Sequence, residues 1–166
     1  LGLGVLGSAV AKSLATIGFK VSGWARTKKE ITNIKCYYGL ENLNKVLRTS
    51  QILITLLPLT NETKFILNSA TLRTMPKGSI IINPGRGLLI DDNALFKSLN
   101  SGHIKHATLD VFSKEPAKEN VLFNNPKAVL TPHVAASTAE ASIVVAEMVA
   151  NQISDFLLNG KKLNTV

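Results

Sequence analysis

Gly2, Leu3, Gly4, Val5, Leu6 and Gly7 open the chain, and the fold is read outward from them. The three glycines have the spacing G-x-G-x-x-G, and an apolar stripe at Leu6, Val10, Leu14 and Ile17 predicts a helix over 5–17 directly behind them. Glycines permit a tight turn and let the backbone approach a pyrophosphate, whose charge the helix N-terminus stabilises. Alone the triplet is weak evidence, because a ligand-free glycine turn is written in the same letters. Context strengthens it: Gly18 ends the helix and a strand-like segment follows, as in the second half of a βαβ unit. Leu1 alone precedes Gly2, so the strand that leads into such a loop is expected outside this sequence.

Beyond the loop, strand-like runs alternate with helical segments. Strands are predicted at 20–24, 51–57, 79–83, 106–111 and 128–131, several as continuous apolar stretches of the kind buried on both faces. Helices are predicted at 40–48, at 62–68 and at 92–100 behind an Asp91 cap. A longer one, rich in Ala and Val, runs over about 138–158 and could pack across the sheet or against another domain or subunit. The alternation predicts a doubly wound α/β fold with a parallel sheet. With no internal repeat, low-complexity tract or long linker, 1–166 reads as one dinucleotide-binding domain.

Composition narrows the class. The chain has 166 residues, 45% of them apolar, enough to bury a core. Its apolar runs are short and interrupted, so no segment is expected to approach the roughly 20 apolar residues of a membrane helix. The single Cys36 has no disulfide or metal-cluster partner, which points to a reducing, cytoplasmic setting and to no metal site. A formal charge of +8 invites a nucleic-acid reading, but the Lys and Arg residues are scattered and form no aromatic-basic motif or basic helix.

Cofactor choice is read after the first strand. A unit that binds NAD usually carries Asp or Glu about 20 residues beyond the glycines, where it accepts hydrogen bonds from the ribose 2′-hydroxyl. Here the segment reads Gly23, Trp24, Ala25, Arg26, Thr27, Lys28, Lys29. Arg26 suits a 2′-phosphate through paired hydrogen bonds, Thr27 adds a donor, and Lys28 or Lys29 adds point charge. NADP(H) is therefore preferred, with NAD(H) still possible.

Three further segments end strands in reactive side chains. Arg86 lies in Asn83, Pro84, Gly85, Arg86, Gly87, between glycines that let backbone and ligand come close, and its guanidinium suits a carboxylate. Asp110 and Glu115 lie in Leu109, Asp110, Val111, Phe112, Ser113, Lys114, Glu115, Pro116. His133 lies in Leu130, Thr131, Pro132, His133, where Pro fixes the approach and Ser137 with Glu140 has capping-box spacing. In an open parallel sheet ligands sit beyond the carboxyl ends of the strands, the edge to which all four residues belong. His103 and His106, around a helix-to-strand turn, are assigned no chemistry.

With these segments in order, the chain resembles the D-isomer-specific 2-hydroxyacid dehydrogenases, and within them the glyoxylate/hydroxypyruvate reductase A branch. The resemblance runs from the glycine loop through Trp24 to Thr27, then Leu56, Leu57, Pro58, Leu59, Thr60, Asn61, Glu62, Thr63, to the arginine, glutamate and histidine segments. It implies a Rossmann-like domain that lacks its first strand and an N-terminal substrate domain. It implies that Arg86 orients the substrate and that Glu115 pairs with His133, the proton donor in reduction of a small 2-oxo acid by NADPH. It also implies that Gly2, Gly4, Val5, Leu6 and Gly7 contact the cofactor, that Asp110 and the Pro84 backbone face the nicotinamide, and that Leu57, Pro58 and Thr63 line the adenosine side. A homodimer is implied as well. Gly85 departs from the Ala of many members and is expected to loosen its loop slightly. Two alternatives stay open: a non-catalytic regulatory module of the same family, and a 3-phosphoglycerate-type dehydrogenase, against whose usual NAD preference Arg26 argues. A formate dehydrogenase fits less well, because that branch has Gln where Glu115 stands.

Overall fold

A computed structural model describes residues 1–116 and 119–160. The chain forms two compact units, Leu1–His133 and a second from Val134 onward, where the sequence suggested no internal boundary.

The first unit is built on parallel strands. β1 (Ser22–Ala25) pairs with β2 (Lys35–Tyr38), and β3 (Ile52–Ile54), β4 (Ser79–Asn83), β5 (Ile104–Leu109) and β6 (Ala128–Leu130) form a second sheet in that order. Leu1 and Gly2 stand between the two sheets. The Leu1 amine donates to the Ile54 carbonyl (2.6 Å), the Leu56 N–H donates to the Leu1 carbonyl (2.8 Å), and the Gly2 N–H donates to the Trp24 carbonyl (2.8 Å). These two residues thus occupy a strand position between β1 and β3, and the glycine loop leaves the sheet where the winding reverses.

Burial explains the strands. In β4 the run Ser-Ile-Ile-Ile-Asn has Ser79, Ile81 and Asn83 buried and the residues between them half-buried. Helices α1 (Val5–Thr16), α2 (Leu43–Leu47), α3 (Ser69–Thr74) and α4 (Asp92–Asn100) connect the strands. α4 starts where expected, with the Asp91 carboxylate accepting from the Ala94 N–H at 3.0 Å, and buries Leu95 and Leu99. The main core joins these to Trp24, Leu47, Leu53, Leu72, Ile81 and Ile104.

Several boundaries differ from the sequence reading. The helix expected at 62–68 is a run of turns, and α3 begins only after it, at Ser69. Thr63 Oγ1 accepts from the Thr60 N–H (2.7 Å) and donates to the Pro58 carbonyl (2.7 Å), a local alternative to helix, while Phe65 has a left-handed φ of 52°. Asn68 then acts as cap in a reciprocal box with Thr71. β2 was not foreseen: it has only four residues, none fully buried, and no apolar run.

The second unit contains α5 (Ala139–Asn159). Its cap is Thr138, whose hydroxyl accepts from the Ala141 N–H, rather than the expected Ser137. Contrary to the expectation that no segment approaches a membrane span, α5 is long and apolar enough by length and composition, with a mean hydropathy of 1.3. The interruptions that shortened its apolar runs, Glu140, Glu147, Asn151 and Asp155, recur at helical spacing and fall on one face, so the helix is amphipathic. Ile143, Val145, Val149 and Leu157 are exposed.

Candidate active site

Because every strand pair of the first unit is parallel, the segments leaving β1, β3, β4, β5 and β6 emerge at one edge. That edge carries Arg26, Leu57, Arg86, Asp110 and His133.

At its nucleotide half, Gly4 is the N-cap of α1 with no side-chain cap and no acidic residue in the first turn. The amides of Val5, Leu6 and Gly7 begin a helix whose first turn has no internal acceptors, and Val5 is 96% exposed, so an anion has open access. Gly7 is required by close approach: a Cβ there would lie 1.8 Å from the Gly2 carbonyl oxygen. Arg26 and Thr27 follow β1 and are exposed. Lys28 is engaged, its ammonium 2.9 Å from Glu30, which leaves Arg26 and Lys29 as the cations beside the strand end. Leu57 is buried, and Thr63 spends its hydroxyl on the turn that carries Pro58. A cavity of about 410 Å³ lined by Lys28, Ile31, Cys36 and Tyr38 adjoins this half.

At the other half, His133 and Glu115 meet. His133 Nδ1 donates to Glu115 Oε2 at 2.9 Å across 18 residues of sequence. Glu115 Oε1 accepts from the Phe112 N–H (3.2 Å), and the Glu115–Pro116 peptide is cis. The hydrogen bond from the His133 ring holds the Glu115 carboxyl below its ordinary value, partial burial and the Asp110 charge acting against it. Since the native carboxyl is the stronger acid, its contribution to stability is complete above about pH 4.5 and is lost as the pH falls through the native value. Pairing at Nδ1 leaves Nε2 as the ring nitrogen not engaged with Glu115. His133 adopts a left-handed φ of 56°, and its N–H donates to the Thr131 carbonyl (3.0 Å). The pair stands on the wall of a cavity of about 470 Å³ completed by Phe112, Phe123, Leu130 and Pro132.

Asp110 is buried at the end of β5, its N–H donating to the Asn83 carbonyl (3.0 Å) and its carboxylate accepting from Thr131 Oγ1 (2.5 Å). Pro84 lies in the loop after β4. Arg86 is exposed there, with Nη1 donating to the Gly85 carbonyl at 2.7 Å. Gly85 does not loosen this loop as expected. A Cβ would lie 2.8 Å from the Thr55 carbonyl, so the glycine lets the loop sit down against β3. The sequence reading missed two supports. Thr131 binds Asp110, and Asp92 accepts from Ser113 (2.6 Å) and Asn120 (2.7 Å) on either side of Glu115. Asp92 beside a cap residue carried no signal of its own.

Comparison with known proteins agrees with this geometry. Residues 1–135 match the model of the D-isomer specific 2-hydroxyacid dehydrogenase NAD binding domain. A glyoxylate/hydroxypyruvate reductase A of Salmonella choleraesuis is 40% identical over 145 residues, 87% of this chain and 46% of the reductase. A D-isomer specific 2-hydroxyacid dehydrogenase from Xanthobacter autotrophicus, solved with NADPH and MES, superposes with a TM-score of 0.91 at 39% identity, over 99% of this chain and 68% of that one. An NADPH-dependent glyoxylate/hydroxypyruvate reductase from Sinorhizobium meliloti, solved with NADP and sulfate, gives 0.86 at 36% identity, over 98% of this chain and 52% of that one. The Rossmann-like sheet and its glycine loop are thus those of an NAD(P)-binding domain. The chain belongs to the D-isomer specific 2-hydroxyacid dehydrogenase family. It spans about half the length of the curated relatives it matches.

Proposed function

We propose that this chain is the nucleotide-binding half of an NADPH-dependent reductase that converts small 2-oxo acids, of the glyoxylate or hydroxypyruvate kind, to D-2-hydroxy acids. The observation that carries the reading is the His133–Glu115 pair at 2.9 Å, on the same sheet edge as Arg86. The uncapped first turn of α1 and the Gly7 cradle fit a pyrophosphate. When bound, the dinucleotide supplies the hydride. Arg86 holds the substrate carboxylate and polarises the carbonyl, so that it acts on charge that grows in the transition state. His133 delivers a proton from Nε2 to the developing alkoxide, and Glu115 fixes the ring through Nδ1. Asp110 and the Pro84 carbonyl orient the nicotinamide, and Leu57, Pro58 and Thr63 line the adenosine side.

Preference for NADPH rests on Arg26. Two carboxylates bear on this region: Glu30, held by Lys28, and Glu62, which accepts from Thr60 (2.7 Å) and feels the Arg26 charge. Neither is placed on the strand as a ribose acceptor would be. The test is NADPH oxidation by the full-length protein with glyoxylate and with hydroxypyruvate; no oxidation with either sinks the proposal and favours a regulatory module. In the same assay Arg26→Asp should raise the KM for NADPH about tenfold or more while changing that for NADH little, as loss of a charged pair predicts. Equal losses for both cofactors would remove the assignment.

A further inference from the structure

We propose that Thr55 and Asn83, two buried residues outside the reacting groups, are positioning residues for Arg86, an inference that rests on the reductase reading above. Asn83 ends β4 and is 1% exposed, and Thr55, next to the end of β3, is 0% exposed. A polar side chain is not placed in such surroundings without partners. Thr55 Oγ1 donates to Asn83 Oδ1 at 2.6 Å, the Gly85 N–H donates to the same oxygen at 3.1 Å, and Asn83 Nδ2 donates to the Arg86 carbonyl at 3.0 Å. One amide group therefore grips the loop on both sides of the Arg86 Cα. The Gly85 carbonyl, fixed through its own residue, in turn accepts from Arg86 Nη1 at 2.7 Å.

The amide plane sets the direction of the loop, and the Thr55 hydroxyl sets the direction of the amide. With Thr55 donating to it, Oδ1 is identified as the acceptor side of Asn83, and Nδ2 is left facing Arg86. Gly85 completes the arrangement, because a Cβ there would stand 2.8 Å from the Thr55 carbonyl oxygen, and its absence lets the loop settle against that carbonyl. Arg86 itself is exposed and long, with many rotamers, so its aim depends on a stationary backbone. Pre-organisation of a guanidinium toward a carboxylate contributes to the transition state more than to cofactor binding. The network touches neither the glycine loop nor Arg26.

Thr55→Val tests this in the full-length protein. It preserves shape and leaves Asn83 Oδ1 with the Gly85 N–H, so no buried acceptor is orphaned and folding should be retained. Loss of the hydroxyl should lower kcat/KM for the 2-oxo acid by about fivefold to tenfold, with a raised KM for that substrate and a lowered kcat, while NADPH affinity stays within about twofold. Thr55→Ser should restore the parent values. Asn83→Ser, too short to span both loop contacts, should lose more in the same direction. Amide hydrogen exchange at Gly85, read without any turnover, should speed up in Thr55→Val and return in Thr55→Ser. Unchanged kcat/KM and unchanged Gly85 exchange would overturn the inference, as would a fall in NADPH affinity equal to the fall in kcat/KM. Should the parent protein reduce no 2-oxo acid while Gly85 exchange responds as described, the reductase reading fails and the control of the Arg86 loop stands.

Discussion

Replacing His133 by Asn should lower kcat for 2-oxo acid reduction by about 10²–10⁴-fold, the usual contribution of a positioned proton donor, with NADPH affinity unchanged. Asn is the informative substitution because position 133 has a φ of 56°, where Asn is tolerated and a β-branched residue would be strained. The variant therefore removes the proton without forcing the backbone to move. The nucleotide half of the edge, at Gly7 and Arg26, does not contact the ring, which is why binding should persist. Steady-state kinetics beside NADPH fluorescence titration measures both quantities. Turnover within about tenfold of the parent would show that another group, or water, delivers the proton.

Gly87→Ala should produce a large structural effect. A Cβ at this position would lie 1.9 Å from both the carbonyl carbon and the carbonyl oxygen of Phe112, and backbone offers no rotamer escape. Either the Arg86 loop or the loop that begins at Phe112 must move, and Phe112 supplies the N–H that holds Glu115. Overpacking of this severity costs about 3 kcal/mol or more. The expectation is a lower urea midpoint, together with a fall in activity greater than the fall in NADPH affinity, since the glycine loop lies on the other half of the edge. An unchanged midpoint in urea denaturation would mean that the two loops are not in the close contact described.

Sequence was most informative where local chemistry decides structure. β4 is a run of three isoleucines between two polar ends, and α4 begins at an Asp cap, so both have the bounds their residues dictate. The region after β3 was misread because apolar spacing is blind to hydroxyls: Thr60 and Thr63 satisfy each other and the backbone, and the helix waits for Asn68. For the site, Arg86, Glu115 and His133 could each be named as the ends of strand segments, yet their support could not. The 18-residue separation of Glu115 and His133 becomes a 2.9 Å contact only through the pairing of β5 with β6. Lys28 looked like a phosphate ligand, and its pairing with Glu30 depends on a turn that charge spacing does not specify. Thr55 carried a legible signal, one hydroxyl inside Ile-Leu-Ile-Thr-Leu-Leu, whose partner is found only across the sheet.

The two residues that join the sheets also bear on the order of assembly. The Leu1 to Ile54 bond closes 53 residues of chain, whereas neighbouring strands from β3 to β6 are joined by shorter connections. Closing a loop over that distance costs more chain entropy than joining neighbouring strands, so it belongs late in folding, after the four-stranded sheet has formed. Trp24 is the single tryptophan, sits on β1 and is 2% exposed within the main core, so its burial reports the moment β1 docks. Refolding followed by tryptophan fluorescence should therefore lag behind refolding followed by far-ultraviolet circular dichroism. Of the two halves of the ligand edge, the one that carries Arg26 is completed last.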